Sequence, residues 1–382
     1  MQESLQALKR VLIDRYVLWH HSTVSKVREG ELDGSSVRTL VFVGNEGRHG
    51  LGDRLRGMLF AYLAAVFSNR LLLIHWQDPF PLSTVLVNSV HSNYTYDASL
   101  FPSRTKEEGG EEDKVYVKKA TLMEMHLFTG IHRMLVLECE PRPSLDDVFK
   151  AMRKFPRLQT SIAMKKILPL RRRPHPNQFF PLIFKALLRP SAALRKMMAE
   201  IIDKHNRFAP SRLWKQGPLK RIDTGKPFIS VHARLGYGVA EYIKRFKSQM
   251  SGRTMESVAE CMAQIAMRLA KRENVTHPPR FYLATDTEQF RLMFKTALMR
   301  MDRQAKVMYG TWVMKHVKEM QGHTTDDLRL FRYTFMDLYI MSKGEAILRS
   351  NSGFPNLAVW MGGIPSQMGF NINDCPLVLQ GA

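Results

Sequence analysis

The chain has 382 residues, 45% of them hydrophobic, enough for two domains of ordinary size with cores of their own. Its 57 basic and 35 acidic side chains leave a net charge of +22, which favours polyanionic company (nucleic acid, acidic lipid, acidic polysaccharide or nucleotide phosphates) without choosing among them. No window approaches the roughly eighteen apolar residues of a membrane span, and Cys139, Cys261 and Cys375 are too scattered for a metal site or for more than one disulfide.

The start, MQESLQALKRVLIDRYVLW, is amphipathic and charged, unlike a signal peptide. Taken alone it fits a cytosolic protein or one whose targeting segment is missing. Residues 1–36 are expected to form a helix and a polar connector ending at Gly30 to Ser36. The next block carries more information. Leu40 to Val43 is an apolar, strand-like run, and Gly44 to Gly52 is a glycine-rich loop. Leu51, Leu55, Met58, Leu59, Tyr62, Leu63 and Val66 recur at helical spacing, and Leu71 to Ile74 is a second short apolar run. This is a βαβ unit. Arg54 and Arg56 oppose the helix dipole. They are tolerated there if they face an anion bound by the same amides, or if they are solvated on an exposed turn.

Prolines and the acidic tract Glu107 to Asp113 mark loops between 77 and 150, with one more strand at Leu135 to Glu140. Residues 151–226 are basic. Arg171, Arg172 and Arg173 form either a solvated charge run or a grip on an acidic partner, and Pro174 to Pro176 mark a hinge. Ser191 suits the N-cap of a helix running to Asn206. The domain boundaries follow: 1–36 helix and connector, 37–180 first domain, 181–382 second domain.

From 227 onward strands and helices alternate. A strand opens the stretch FISVHARLGYG, Phe228 to Gly238. Helices are expected over Met255–Arg272, Glu288–Met299, Asp326–Lys343 and Phe354–Met361, and further strands over Phe281–Thr285 and Ala346–Leu348. Such alternation gives a parallel, doubly wound sheet. Its strand ends carry His232 with Arg234, then Asp286, then Ser350 with Ser352. Ligands of these sheets bind outside the carboxyl ends of the strands. An extended chain puts His232 and Arg234 on one side, and a guanidinium fork beside an imidazole suits a phosphate. Each cluster alone is also ordinary cap and turn chemistry; it is their recurrence at successive strand–helix junctions that sets them apart.

Four motifs in this order resemble the fucosyltransferase superfamily that includes plant cell-wall, α1,2-, α1,6- and protein O-fucosyltransferases. They are GLGDRLRGMLFAYLAAVFSNRLLLIHW, Val231-His232-Ala233-Arg234, the aromatic strand Phe281 to Asp286, and Leu348 to Ser352. The resemblance covers most of residues 38 to 362. It implies a GT-B-like α/β fold, two Rossmann-like domains with parallel sheets facing a central cleft. It implies GDP-fucose as donor, a glycan or glycoprotein acceptor, no metal or other cofactor, no nucleic-acid partner, and a Golgi or secretory lumen. The family's membrane anchor is not seen in this sequence.

By the same resemblance Arg234 clamps the β-phosphate, and His232 and Asp286 contact guanine or its ribose. Ser350, Asn351 and Ser352 add contacts to the donor, and Gly50, Gly52 and Arg54 line the cleft. Transfer inverts the anomeric carbon. An inverting step calls for a base on the acceptor hydroxyl, for which Asp53 and Glu46 stand in the glycine-rich loop, where either could equally be a helix cap. Competing readings are a non-catalytic polyanion binder and a GT-B transferase with another donor. The sequons Asn93-Tyr94-Thr95 and Asn274-Val275-Thr276 matter only on the secretory route.

Overall fold

A computed structural model describes residues 9–44, 50–89, 93–102, 114–117, 134–138, 176–206, 227–235, 254–275, 277–310, 320, 324–350 and 352–370. The chain divides into two compact units, Met1–Ser191 and Ala192–Ala382. No helix among the described residues is long and apolar enough to cross a membrane.

In the first unit a π-helical turn at Arg10–Arg15 leads into α1 (Tyr16–Arg28). Then come β1 (Thr39–Val43), α2 (Leu51–Ser68), β2 (Leu71–His75), β3 (Leu86–Asn88), β4 (Lys114–Val117), β5 (Met134–Glu138), α3 (Pro176–Leu187) and β6 (Leu188–Pro190). The expected βαβ unit is present, with β1 and β2 paired in parallel and Thr39 opposite Leu71. The sheet runs β2-β1-β5-β4, all parallel, and β3 and β6 form a separate antiparallel ribbon that the sequence did not suggest. α2 is buried along nearly its whole length. That explains the apolar run Met58 to Phe67, which has no polar face to offer solvent.

Edge strand β2 is protected by side chains of α1. The Tyr16 hydroxyl donates to the Arg70 carbonyl and accepts from Leu72 N, both at 2.9 Å, and His20 Nε2 lies 2.8 Å from the Leu72 carbonyl. Residues one helical turn apart thus occupy backbone groups that another strand would otherwise take. Further along β2, Ile74 bonds in both directions to the segment around Thr95.

The second unit contains α4 (Ala192–Asn206), β7 (Ile229–Ala233), α5 (Met255–Arg272), β8 (Arg280–Thr285), α6 (Glu288–Met301), β9 (Lys306–Met308), α7 (Thr325–Met341), β10 (Ala346–Ser350), α8 (Gly353–Gly362) and β11 (Ser366–Phe370). The starts of these helices are written into the sequence. Thr254 and Ser257 form a reciprocal capping box on α5, Thr324 accepts from Asp327 N on α7, and Ser352 accepts from Phe354 N on α8.

All strand pairs of the second sheet are parallel, in the order β11-β10-β7-β8-β9. From β7 the chain winds outward through β8 and β9, then crosses back to lay β10 and β11 on the other side. The reversal falls between β7 and β10. One face of this sheet packs Ile229, Val231, Ala233, Phe281, Leu283 and Leu348 against α5 and α6. Alternation therefore assigns Ser230 and His232 to the opposite face, where Ser230 Oγ donates to the Met341 carbonyl of α7 at 2.8 Å.

Candidate active site

In an open parallel sheet the strand reversal leaves a crevice at the carboxyl ends of the two strands that flank it, and ligands bind there. In the second unit those strands are β7 and β10, which end at His232–Ala233 and at Ser350. The Ser350 hydroxyl lies 2.8 Å from His232 Nδ1 and accepts from Arg234 N at 3.2 Å. One side chain of β10 thereby fixes both the ring and the following backbone amide of β7. On the other flank, Asp286 at the end of β8 accepts from Leu235 N through Oδ1 at 2.9 Å. The three strand ends that the sequence set apart are joined directly, through the turn leaving β7.

Their electrostatics differ. His232 is 1% exposed, and the Phe354 ring of α8 lies 5.7 Å away. Burial, with the charge of Arg234 second, lowers its pKa to about 3. The ring is therefore neutral at any ordinary pH, and of the pair only Arg234, half-buried at the strand end, can bring positive charge to an anion. Asp286 is 8% exposed, with an oxygen already turned inward to Leu235. Ser352 is half-buried and caps α8, so that the positive end of this helix dipole opens beside Ser350. Asn351 lies outside the described residues.

The structure thus brings together His232, Arg234, Asp286, Ser350 and Ser352, and the side chains of His232, Asp286, Ser350 and Ser352 hold each other or the backbone. Sequence reasoning missed two parts of this arrangement. The amides of Arg234 and Leu235 carry no sequence signature. Phe354 does leave one, as an aromatic directly after the serine–glycine cluster. Ser350→Ala is expected to cost the second unit about 1–3 kcal/mol, because it strips a partner from Arg234 N and from His232 together. Ser350→Thr, which keeps the hydroxyl, should recover most of that loss in thermal unfolding. Equal destabilisation by both variants would show that the hydroxyl does not act as a clasp.

The glycine-rich loop belongs to the first unit. Gly50 is the N-cap of α2, Gly52 is buried in its first turn, and Glu46 lies outside the described residues. Asp53 pairs with Arg56 one turn on. Arg54 is fully buried: its guanidinium donates to the Gly44 carbonyl at 2.8 Å, bonds the Asp78 carbonyl and reaches Asp78 Oδ2 at 3.1 Å. It also lies over Trp76, 5.8 Å from the ring centre. Gly44 is required by that ring, because a Cβ there would meet it at 2.7 Å. Arg54 thus ties the ends of β1 and β2 together through protein oxygens. Its burial overturns the expectation of a solvated arginine on an exposed turn, and these contacts are made to protein oxygens rather than to a bound anion. Arg171 to Arg173 lie outside the described residues.

No family model and no curated protein matches the sequence. Among solved structures, the chain matches a mutant of FUT1 from Arabidopsis thaliana in complex with GDP. The TM-score is 0.51 at 11% identity, over 95% of this chain and 77% of that one. Fucosyltransferase NodZ from Bradyrhizobium matches with a TM-score of 0.41 and 14% identity, over 84% and 92% of the two chains. POFUT1 in complex with GDP matches with 0.44 and 12%, over 88% and 98%. At these identities the likeness to the Arabidopsis protein is one of fold. The chain is a pair of parallel-sheet α/β units of the GT-B-like class that the motifs implied.

Proposed function

We propose that this chain is a glycosyltransferase that takes fucose from GDP-fucose, with inversion, onto a hydroxyl of a glycan or glycoprotein. The observation that carries the reading is the joining of His232, Arg234 and Ser350 at the strand reversal of the second unit. A nucleoside diphosphate needs fixed positive charge and oriented N–H donors. Arg234 supplies the charge, and the start of α8 supplies the Gly353 amide and the positive end of its dipole, since Phe354 N is taken by Ser352 and Pro355 has no N–H. His232, Ser350 and Asp286 hold the turn on which Arg234 stands. Because a guanidinium and a helix N-terminus can together neutralise the departing diphosphate, the proposed transfer proceeds without a metal.

The test is thermal unfolding in the presence of nucleotides. GDP at a hundredfold excess over its Kd should stabilise the protein by about 2.7 kcal/mol, GDP-fucose comparably, and UDP far less. Stabilisation by heparin in place of GDP, with binding that falls steeply as salt rises, would overturn the proposal in favour of a polyanion binder. Preference for UDP would move it to another donor.

A further inference from the structure

The two Asn-x-Thr triplets are used differently by the fold. Asn93 is half-buried, and its side-chain oxygen accepts from Asn88 Nδ2 at 2.8 Å and from Thr95 N at 3.1 Å. Tyr94 and Thr95 lie in the segment that borders the edge of β2. The Asn93 amide therefore shapes a segment packed on the first sheet.

Asn274 stands just past the C-cap of α5, with φ +52° and an exposed side chain. Two backbone bonds close the turn, from Asn274 N to the Lys271 carbonyl at 3.2 Å and from Val275 N to the Ala270 carbonyl at 3.0 Å. Val275 packs onto the core of the second unit. This is the paired-bond helix ending that wants a residue tolerant of the left-handed region, and asparagine is among the few that are. The turn is held by backbone and by Val275, and the Asn274 side chain makes none of its hydrogen bonds.

A second, independent observation concerns compartment. Cys261, buried on the same helix, is disulfide-bonded. Three cysteines permit no more than one disulfide within the chain. Disulfides persist in the secretory lumen and outside the cell, and are rare where thiols are kept reduced. That lumen is also where Asn-x-Thr triplets are glycosylated.

We infer that Asn274 is the N-glycosylation acceptor of this chain. The donor is an oligosaccharide on a polyprenyl diphosphate, and the catalyst is the transferase of the host's secretory route. The side-chain nitrogen of Asn274 attacks the anomeric carbon. An N–C bond forms, the C–O bond to the diphosphate breaks, the lipid diphosphate leaves with the electron pair, and one amide proton passes to a base of that transferase. The inference concerns modification of the chain and stands apart from its donor specificity.

The experiment expresses the full chain behind a cleavable secretory leader in eukaryotic cells and reads gel mobility in whole-cell extract and medium, with and without peptide-N-glycosidase. Reading the extract as well keeps a poorly secreted variant informative. The wild type should show a one-glycan shift that the enzyme removes, leaving aspartate at 274 by mass spectrometry. Asn274→Gly, which accepts the same φ, and Thr276→Ala should both lose the shift, and Asn93→Gln should keep it. A wild type without a shift, or a shift that survives in Asn274→Gly, overturns the inference.

Discussion

In the proposed transfer, Arg234→Ala is expected to slow release of GDP from GDP-fucose by about 100- to 1000-fold, the usual cost of removing a preorganised donor aimed at charge that builds in a transition state. Negative charge grows on the diphosphate as the bond to the sugar breaks. His232 cannot meet it, since burial keeps that ring neutral down to about pH 3. The positive charge of the cluster therefore rests on Arg234. Because the diphosphate is more negative in the transition state than in the bound donor, kcat should fall more than KM for the donor rises. Lysine keeps the charge and loses the planar fork, so Arg234→Lys should recover only part of the rate. Water can serve as acceptor in the assay, which removes the need to know the natural one. The unfolding temperature should change little, because Arg234 is half-buried at a strand end and is not a member of the core cluster of the second unit. Turnover within a few-fold of wild type in Arg234→Ala would end the assignment. A collapse in stability would make Arg234 a structural residue.

Much of this was legible in the sequence, and what was not has physical causes. Buried parallel strands and the amphipathic helices between them leave strong local patterns. The helix Met255–Arg272 is found where its spacing puts it, and the strand expected over Phe281–Thr285 begins one residue earlier, at Arg280. Strands β9 and β11 were not seen. Lys306–Met308 is only three residues long and runs from exposed to buried without alternation, and Ser366–Phe370 carries no β-branched residue; both sit at sheet edges, where burial imposes little pattern. Sheet order has no local signature either, yet it is the order that makes Ser350 a neighbour of His232. Arg54 shows the converse failure. A cation at a helix start is ordinarily at the surface or on a ligand. Nothing near it in sequence announces that the Gly44 carbonyl and the half-exposed Asp78 will meet its guanidinium as it turns into the interior. Cys261 is similar, because spacing bounds the number of disulfides and does not say whether one forms.

Acid should unfold both units earlier than their carboxylates alone would require. His20 and His232 are each held neutral in the folded chain. Burial is the larger cause in both, opposed at His20 by the bond to the Leu72 carbonyl and assisted at His232 by Arg234; the values fall to about 4 and about 3. In the unfolded chain both return to about 6.5. Between 6.5 and the folded value the unfolded state takes up a proton that the folded state refuses, so stability falls as pH falls. Above about 6.5 neither residue contributes, and below its folded value each stops adding to the loss. At pH 5 both are still neutral when folded, so each costs its own unit about 2 kcal/mol relative to pH 7, at 1.36 kcal/mol for each pH unit below 6.5. His20 gives the cleaner test, because its Nδ1 is buried with no partner among the described residues. A proton there would be an uncompensated buried charge. Glutamine can keep the donor to Leu72 and does not titrate. His20→Gln should therefore flatten the pH 7-to-5 stability profile of the first unit and leave that of the second unchanged, and His232→Gln should do the reverse. A wild type whose unfolding temperatures hold steady from pH 7 to 5, or a His20→Gln variant as acid-labile as the wild type, would show that these rings are not kept neutral by burial.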